Sequence, residues 1–268
     1  MGAKMKNQKG FTIIETMLFL AVTGALILGV LIGTGASLNN QRYRDAVETF
    51  KGQLQSQYST LGSIRNARSN TWSCGADAKP VEEGTVIRGQ SDCSIVGSLM
   101  VINNSEINTY SVLARENNTT TSQTSDIESL KQNFTYNVSS AEVAKSKMEW
   151  GTKIAWPKSG SGANNSGDRA ISILVMRSPQ TGNVYTFTGN SAPQSVDDVN
   201  SDAIVELIQA EASIPGRGER TLCINSDNLF VGGESDVYIG QFASSASAIE
   251  VRTNAFMREN LGSGAPQC

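Results

Sequence analysis

One carboxylate lies inside an otherwise apolar segment near the start of the chain. Glu15 follows Lys9, Gly10 and Phe11, and it is the only charged residue between Phe11 and Leu38. An acidic side chain at the centre of a membrane-spanning helix costs roughly 2.5 to 3.5 kcal/mol, so such a residue is a functional candidate that needs a partner. The chemistry that this position favours is neutralisation by a nearby positive charge.

Four cysteines and a complete lack of histidine limit the other chemistry. Without histidine, Ser-His-Asp and Cys-His catalysis, histidine-ligated zinc and histidine pH switches are excluded. The cysteines show no Cys-x-x-Cys spacing, and an even number in a chain with an export signal predicts two disulfides. Three connectivities are open, and proximity in sequence favours Cys74–Cys93 and Cys223–Cys268. We expect no metal ion and no cofactor.

The charge balance gives no reason to expect a nucleic-acid partner. The 268 residues include 22 basic and 25 acidic side chains, and taking the three lysines of residues 1–10 from the basic total leaves 19, a net charge of −6. Phosphate binding needs clustered lysine and arginine. An apolar content of 39% is enough for one sizeable core, or two small ones, behind an anchor.

The apolar segment from Phe11 to about Leu38 predicts a membrane-spanning helix. The apolar core of a secretory signal peptide has about 7 to 15 residues, and this segment is far longer. As a helix it extends roughly 40 Å, enough to cross a hydrocarbon core of ~30 Å with some tilt. The lysines before it predict that this end lies in the cytoplasm.

A second helical pattern begins after Leu38. Its apolar residues recur at spacings of three and four, which places them on one buried face of a helix: Tyr43, Ala46, Val47, Phe50, Leu54, Tyr58 and Leu61. The simplest account is one continuous helix from Phe11 to about Ser63. Its first half is apolar all round, and its second half buries a single stripe against a globular head.

The remaining residues predict a β-rich head with a few short helices. Alternating strands that flank turn residues predict hairpins in 94–114, 170–189 and 236–253. Serine residues before helical patterns predict helices in 139–150 and 201–213. The three tryptophans, Trp72, Trp150 and Trp156, are predicted to pack in the core or against a sheet. The fold class is therefore α+β, with a long N-terminal helix packed on an antiparallel sheet.

Residues 9–15, Lys-Gly-Phe-Thr-Ile-Ile-Glu, resemble the type III signal of type IV prepilins and pseudopilins. The change from an apolar to an amphipathic helix before a head is similar to the pilin fold. The resemblance implies that a membrane aspartyl peptidase cleaves between Gly10 and Phe11 and that Phe11 is then N-methylated. Cleavage turns a neutral amide into an α-amine with a pKa of about 7.7 to 8.0. The resemblance also implies that the Phe11 amine of one subunit meets the Glu15 carboxylate of a neighbour, which makes Glu15 an assembly residue and not a catalyst.

The same resemblance divides the chain into four parts: a cleaved leader (1–10), a transmembrane and polymerisation half-helix (11–38), an amphipathic half-helix (39–63), and a β-rich head (64–268) with two disulfides. It implies four kinds of partner: other pilin subunits, the prepilin peptidase and methyltransferase, an inner-membrane assembly platform, and membrane lipid before assembly.

Some pseudopilins bind calcium in a carboxy-terminal loop. Residues 225–236 do not have EF-hand spacing, so a turn is the favoured interpretation and a calcium site remains open.

The function that the resemblance implies is that of a structural subunit in a type IV pilus-like filament. A minor pilin or pseudopilin is favoured, because 268 residues is long for a major subunit. The filament would serve adhesion, motility, DNA uptake or type II secretion. The protein would span the bacterial inner membrane once, with its N-terminus in the cytoplasm, and then enter a periplasmic or extracellular filament. The alternative is a membrane-anchored extracytoplasmic domain, a binding module or an enzyme, that does not polymerise.

Overall fold

The computed structural model divides the chain into two compact units, Met1–Arg42 and Tyr43–Cys268. A single long helix, α1 (Ile13–Gly62), begins in the first unit and ends in the second. The predicted long N-terminal helix is thereby confirmed. The structure describes residues 10, 12–62, 73–82, 91–118, 121–123, 125–157, 169–190, 193, 198–213, 220–227, 235–240, 243–261 and 268.

The second unit combines antiparallel sheets with short helices, so the predicted α+β class is confirmed. One sheet contains β3 (Cys93–Asn103), β4 (Glu106–Glu116), β5 (Phe134–Lys147), β7 (Ala170–Arg177) and β8 (Val184–Gly189), in the order β5-β4-β3-β7-β8. The other contains β6 (Lys153–Ala155), β9 (Thr221–Asn225), β10 (Ser235–Ile239) and β11 (Ile249–Thr253), in the order β11-β10-β9-β6. The other elements are the strand pair β1 (Ser73–Cys74) and β2 (Pro80–Val81), the α-helices α2 (Asp126–Gln132), α3 (Ser201–Ser213) and α4 (Asn254–Leu261), and two short 3₁₀ turns, Glu149–Gly151 and Ala246–Ala248.

All three predicted hairpins are present, as β3–β4, β7–β8 and β10–β11. The β3–β4 turn contains Asn104 at φ 57°, a left-handed conformation that asparagine tolerates better than most residues. The β7–β8 turn contains Gly182 at φ 77°, and its N–H donates to the carbonyl of Ser178 at 2.9 Å. Local turn chemistry therefore sets the position of these hairpins.

The amphipathic part of α1 buries its predicted stripe in the first of two hydrophobic clusters. Tyr43, Val47, Phe50 and Leu54 are each 2 to 3% exposed. They pack with residues from one face of the five-stranded sheet and with residues of the four-stranded sheet: Met100, Ile102, Ile107, Ile171, Ile173, Val175, Leu222, Ile224, Val237, Ile239 and Ile249. This cluster fixes the second half of α1 against both sheets.

The second cluster covers the opposite face of the five-stranded sheet. Leu130 of α2 and Ile204 and Ile208 of α3 pack there with strand residues such as Leu99 and Leu174. Because successive strand residues point to opposite faces, β3 is buried on both sides from Val96 to Ile102. That double burial explains why this stretch of sequence is almost continuously apolar.

Buried hydrogen bonds add specificity to the contact between α1 and the sheets. Gln57, which the apolar pattern did not identify, accepts from the Ser98 hydroxyl at 2.8 Å in a buried environment. The Tyr43 hydroxyl donates to the Ile224 carbonyl at 2.8 Å and accepts from the Ser235 N–H at 2.7 Å. Ile224 and Ser235 are opposite each other in β9 and β10, so Tyr43 connects α1 to the end of that strand pair.

Replacing Tyr43 by phenylalanine is expected to lower the free energy of unfolding by about 1 to 3 kcal/mol. The change keeps the ring but leaves the partly buried Ser235 N–H and the buried Ile224 carbonyl without their partner. Thermal or urea unfolding followed by circular dichroism measures the loss. Tyr110→Phe is the matched control, because the Tyr110 hydroxyl makes no hydrogen bond to the part of the chain described here and its removal should change stability little. Equal stability of the two variants would contradict this role for Tyr43.

The predicted helix in 139–150 is wrong, because most of this segment belongs to β5. Phe134–Val138 pairs with Val112–Glu116, and Val143–Lys147 pairs with Glu106–Tyr110, with a register shift between the two halves. Serine caps and helix-forming residues favoured a helix, but helix propensity is a weak local preference that tertiary pairing overrides. The predicted helix in 201–213 is confirmed as α3.

The prediction that the tryptophans pack inside is wrong for Trp150, whose side chain is 46% exposed. It lies in a short 3₁₀ turn at φ 54°, and its indole N–H donates to the Asp45 carboxylate on α1 at 3.3 Å. Trp156 is half-buried, with the Arg169 guanidinium 4.3 Å from the ring centroid. Trp72 lies outside the described residues.

Candidate functional site

Thr12 caps the start of α1, and Glu15 occupies the third position of the helix. The Glu15 N–H donates to the Thr12 hydroxyl oxygen at 3.3 Å, and the Thr16 N–H donates to the Thr12 carbonyl at 3.1 Å. The Thr-x-x-Glu spacing is that of a capping box, a sequence signal that also identifies Thr12 as a helix start. An acidic group in the first turn also interacts favourably with the positive end of the helix dipole.

Three threonine side chains along the apolar segment form hydrogen bonds within the helix itself. The hydroxyls of Thr16, Thr23 and Thr34 donate to the carbonyls of Ile13, Phe19 and Val30 at 2.8 to 2.9 Å. Such bonds remove the cost of a free hydroxyl in an apolar environment. Glu15 is therefore the one charged group of this segment that must find its partner elsewhere.

The Glu15 side chain is exposed and makes no hydrogen bond or ion pair with any residue in the described part of the chain. Its neighbours are also exposed, with Ile13 at 76% and Ile14 at 77%. Gly10 is described and exposed, whereas Phe11 lies outside the described residues. A single chain thus presents an exposed carboxylate on a largely exposed apolar helix, with no neutralising group among the described residues.

The four candidate cysteines form two disulfides, Cys74–Cys93 and Cys223–Cys268, with Cα atoms 5.8 and 5.4 Å apart. Both distances lie in the usual range for disulfides. The first bond joins β1 to β3, and the second joins β9 to the last residue of the sequence. This is the pairing that sequence proximity favours.

The oxygen-rich segment 225–236 begins with a turn. The Asp227 N–H donates to the Asn225 side-chain oxygen at 2.8 Å, and Asp227 has φ 48°. This Asx-type bond is common in turns; residues 228–234 lie outside the described part. Within the described residues, no group of three or more Cys, Asp or Glu side chains is arranged to hold a metal ion.

Two further observations concern the start of the chain. Among the described residues, α1 is the helix that is long and apolar enough to cross a membrane, and its apolar window is not buried. The prokaryotic N-terminal methylation motif matches residues 5–31. No curated protein and no solved structure gives a significant match to the chain. Residues 5–31 thus carry the type IV prepilin-like signal, the kind of N-terminal motif found in prepilin-peptidase substrates, and it supports a pilin-like protein.

Proposed function

We propose that this protein is a structural subunit of a type IV pilus-like filament and, more specifically, a minor pilin or pseudopilin. The observation that carries the proposal is the coincidence of two features in one segment. The methylation motif covers residues 5–31, and residues 13–31 of that segment form an exposed apolar helix whose one carboxylate, Glu15, has no partner among the described residues. A plain membrane anchor explains the apolar helix but gives no reason for Glu15.

Processing between Gly10 and Phe11 would supply the missing partner for Glu15. Before cleavage the Phe11 nitrogen is an amide, and afterwards it is an amine that is largely protonated near neutral pH. N-methylation keeps that charge. Removing two opposite charges from water is repaid only when they meet in good geometry, so the Phe11 amine of one subunit and the Glu15 carboxylate of a neighbour would favour one arrangement of helices in the filament.

The two halves of α1 would then have separate tasks. The exposed apolar half would lie in the inner membrane before assembly and in the filament core afterwards. The second half holds the head through its buried stripe and the hydrogen bonds of Tyr43 and Gln57. Each subunit would use one surface to meet a different surface of the next, which gives an open-ended helical polymer. Adhesion, motility, DNA uptake and type II secretion are the activities such a filament serves.

The mass of the protein extracted from membranes tests the processing step. We expect the mature chain to begin at Phe11, having lost residues 1–10 and gained one methyl group. Intact-mass spectrometry, with sequencing of the first peptide, reads both changes. Cells that lack the prepilin peptidase are the control and should keep the leader. A chain that retains residues 1–10 in peptidase-containing cells would instead support a membrane-anchored extracytoplasmic domain that does not polymerise.

A further inference from the structure

Trp150 combines an exposed side chain with a strained backbone. Its side chain is 46% exposed, although tryptophan is highly buried on average. Its φ of 54° and ψ of 25° place it in the left-handed region, where a bulky residue is an outlier. A single exposed apolar residue needs no explanation. Strained conformations, however, persist only where the surrounding structure imposes them, and they are frequent at functional positions.

The turn that carries Trp150 lies at one end of the head. It joins β5 to β6, and the Met148 N–H just before it donates to the Ser105 carbonyl at 2.8 Å. Ser105 belongs to the β3–β4 turn, so we call the two turns, 103–106 and 149–151, the base of the head. β7 begins beside this base and runs to the β7–β8 turn at the other end of the five-stranded sheet.

The second half of α1 runs from the base towards the opposite end of the head. The Trp150 indole N–H donates to the Asp45 carboxylate at 3.3 Å. Further along α1, the Tyr58 hydroxyl bonds the Thr186 hydroxyl, near the start of β8, at 2.8 Å. Asp45 follows Leu38 by seven residues, and a chain of that length spans at most about 25 Å even when fully extended. The base is therefore the part of the head that the chain ties most closely to the apolar segment.

The chemistry of the exposed ring suits the interface between lipid and water. An indole has a single hydrogen-bond donor and is otherwise apolar, and Asp45 accepts from that donor. Tryptophan and tyrosine are enriched at both membrane–water interfaces, where their rings lie at the level of the headgroups. A tryptophan exposed at the base thus matches the surface through which the apolar segment would leave a bilayer.

The charges around the base do not favour one sign of lipid headgroup. Lys147 pairs with Glu106 at 3.0 Å, and the exposed side chains of Lys145 and Glu149 carry opposite charges. Clusters of lysine and arginine are the signal for anionic lipids, and turns 103–106 and 149–151 contain neither residue. We therefore expect the contact to form on neutral headgroups, with the ring itself supplying the attraction.

We propose that Trp150 is an interfacial anchor that inserts its ring among the lipid headgroups on the head's side of the membrane, with Asp45 holding the indole in place. The inference rests on the membrane anchoring proposed above, and it does not depend on filament assembly. The anchor holds the base at the bilayer surface while the apolar segment spans the bilayer. A subunit that leaves the membrane loses this contact, so the anchor acts before assembly.

Quenching of tryptophan fluorescence by brominated lipid tests this contact directly. The full chain is reconstituted into phosphatidylcholine vesicles whose acyl chains carry bromine either near the headgroup or near the chain end. We expect shallow bromine to quench the natural chain at least about twofold more than Trp150→Phe, and deep bromine to quench both chains little, because the ring lies at the headgroup level.

Ile95 offers a matched control position for an exposed ring. It is 54% exposed and lies near the start of β3, whereas the base adjoins the end of that strand. A chain with both Trp150→Phe and Ile95→Trp again has three tryptophans, one of them exposed far from the base. Shallow bromine should quench this chain no more than it quenches Trp150→Phe.

Vesicle flotation separates this inference from the membrane anchoring on which it rests. A chain that does not float with the vesicles overturns both. A chain that floats but is quenched no more than Trp150→Phe, or no more than the Ile95→Trp control, overturns the interfacial anchor alone. Shielding of Trp150 from both lipid bromine and aqueous iodide would show that a second copy of the chain covers the ring, and it also overturns the anchor.

Discussion

Replacing Gly97 by alanine is expected to destabilise the head by about 3 kcal/mol, which for a chain of this size lowers Tm by roughly 6 to 12 °C. Gly97 lies in β3 where the register with β4 shifts, and it pairs with Met176 of β7. A Cβ at this position would be 2.8 Å from the Met176 Cα and would also collide with the Val175 carbonyl oxygen. Both obstacles are backbone atoms of the neighbouring strand. Relief therefore requires β3 and β7 to separate in the middle of the five-stranded sheet, and thermal unfolding by circular dichroism measures the cost.

The chain offers the same substitution in a different environment as a control. Gly52 lies inside α1, where an added Cβ meets nothing within 4 Å. Gly52→Ala should stabilise the protein by about 0.5 to 1 kcal/mol, because alanine is the better helix former. The two variants are thus expected to shift stability in opposite directions. If Gly97→Ala unfolds at the temperature of the natural chain, the close approach of β3 and β7 is wrong.

Replacing Glu15 by alanine is expected to reduce incorporation into filaments at least about tenfold while leaving membrane insertion and cleavage intact. The variant removes the one charge in the apolar half of α1, so insertion becomes easier and not harder. A neighbour's amine would then enter an apolar helix bundle without a partner, and breaking a buried ion pair in this way costs about 3 to 5 kcal/mol. Quantifying the subunit in sheared filaments, alongside the intact mass of the membrane-bound pool, separates assembly from processing.

Two further variants show whether the charge of Glu15 is responsible. Glu15→Gln keeps the size and polarity of the side chain but not its charge, and it should fail as alanine does. Glu48→Ala removes an exposed acid from the second half of α1, where Glu48 pairs with Lys51 at 3.2 Å, and it should assemble normally. Natural levels of Glu15→Ala in filaments would rule out the proposed ion pair, whatever the processing result.

Patterns within about fifteen residues were sufficient to predict much of the fold. The period of the apolar residues predicted α1 and the stripe that contains Tyr43, Phe50 and Leu54. Turn residues such as Asn104 and Gly182 predicted the hairpins that contain them. The segment around Gly10 and Glu15 carried the processing signal as a linear motif. Each of these features depends on residues that are close in the chain. Its physical cause can therefore be read from the local sequence.

Features that depend on distant partners were missed or mispredicted. The segment 139–150 has local helix signals, yet pairing with β4 made most of it a strand. Gln57 interrupts an apolar stripe, and its burial makes sense only with the Ser98 hydroxyl opposite. Trp150, a residue type that is usually buried, is exposed in a strained turn beside Asp45.

By itself, the sequence determined that this chain has an apolar helix with one carboxylate, a processing motif before it, and a β-rich head behind it. The periods of 3.6 and 2, the turn residues and the charge of Glu15 are local properties, and they are present before folding begins. Only the tertiary structure decided that Asp236 is buried opposite Cys223, with its carboxyl oxygens bonded to no other residue in the described part of the chain. Its neighbours across the strands come from β9 and β11, and a carboxyl group acquires an unusual pKa only when distant segments remove the water around it.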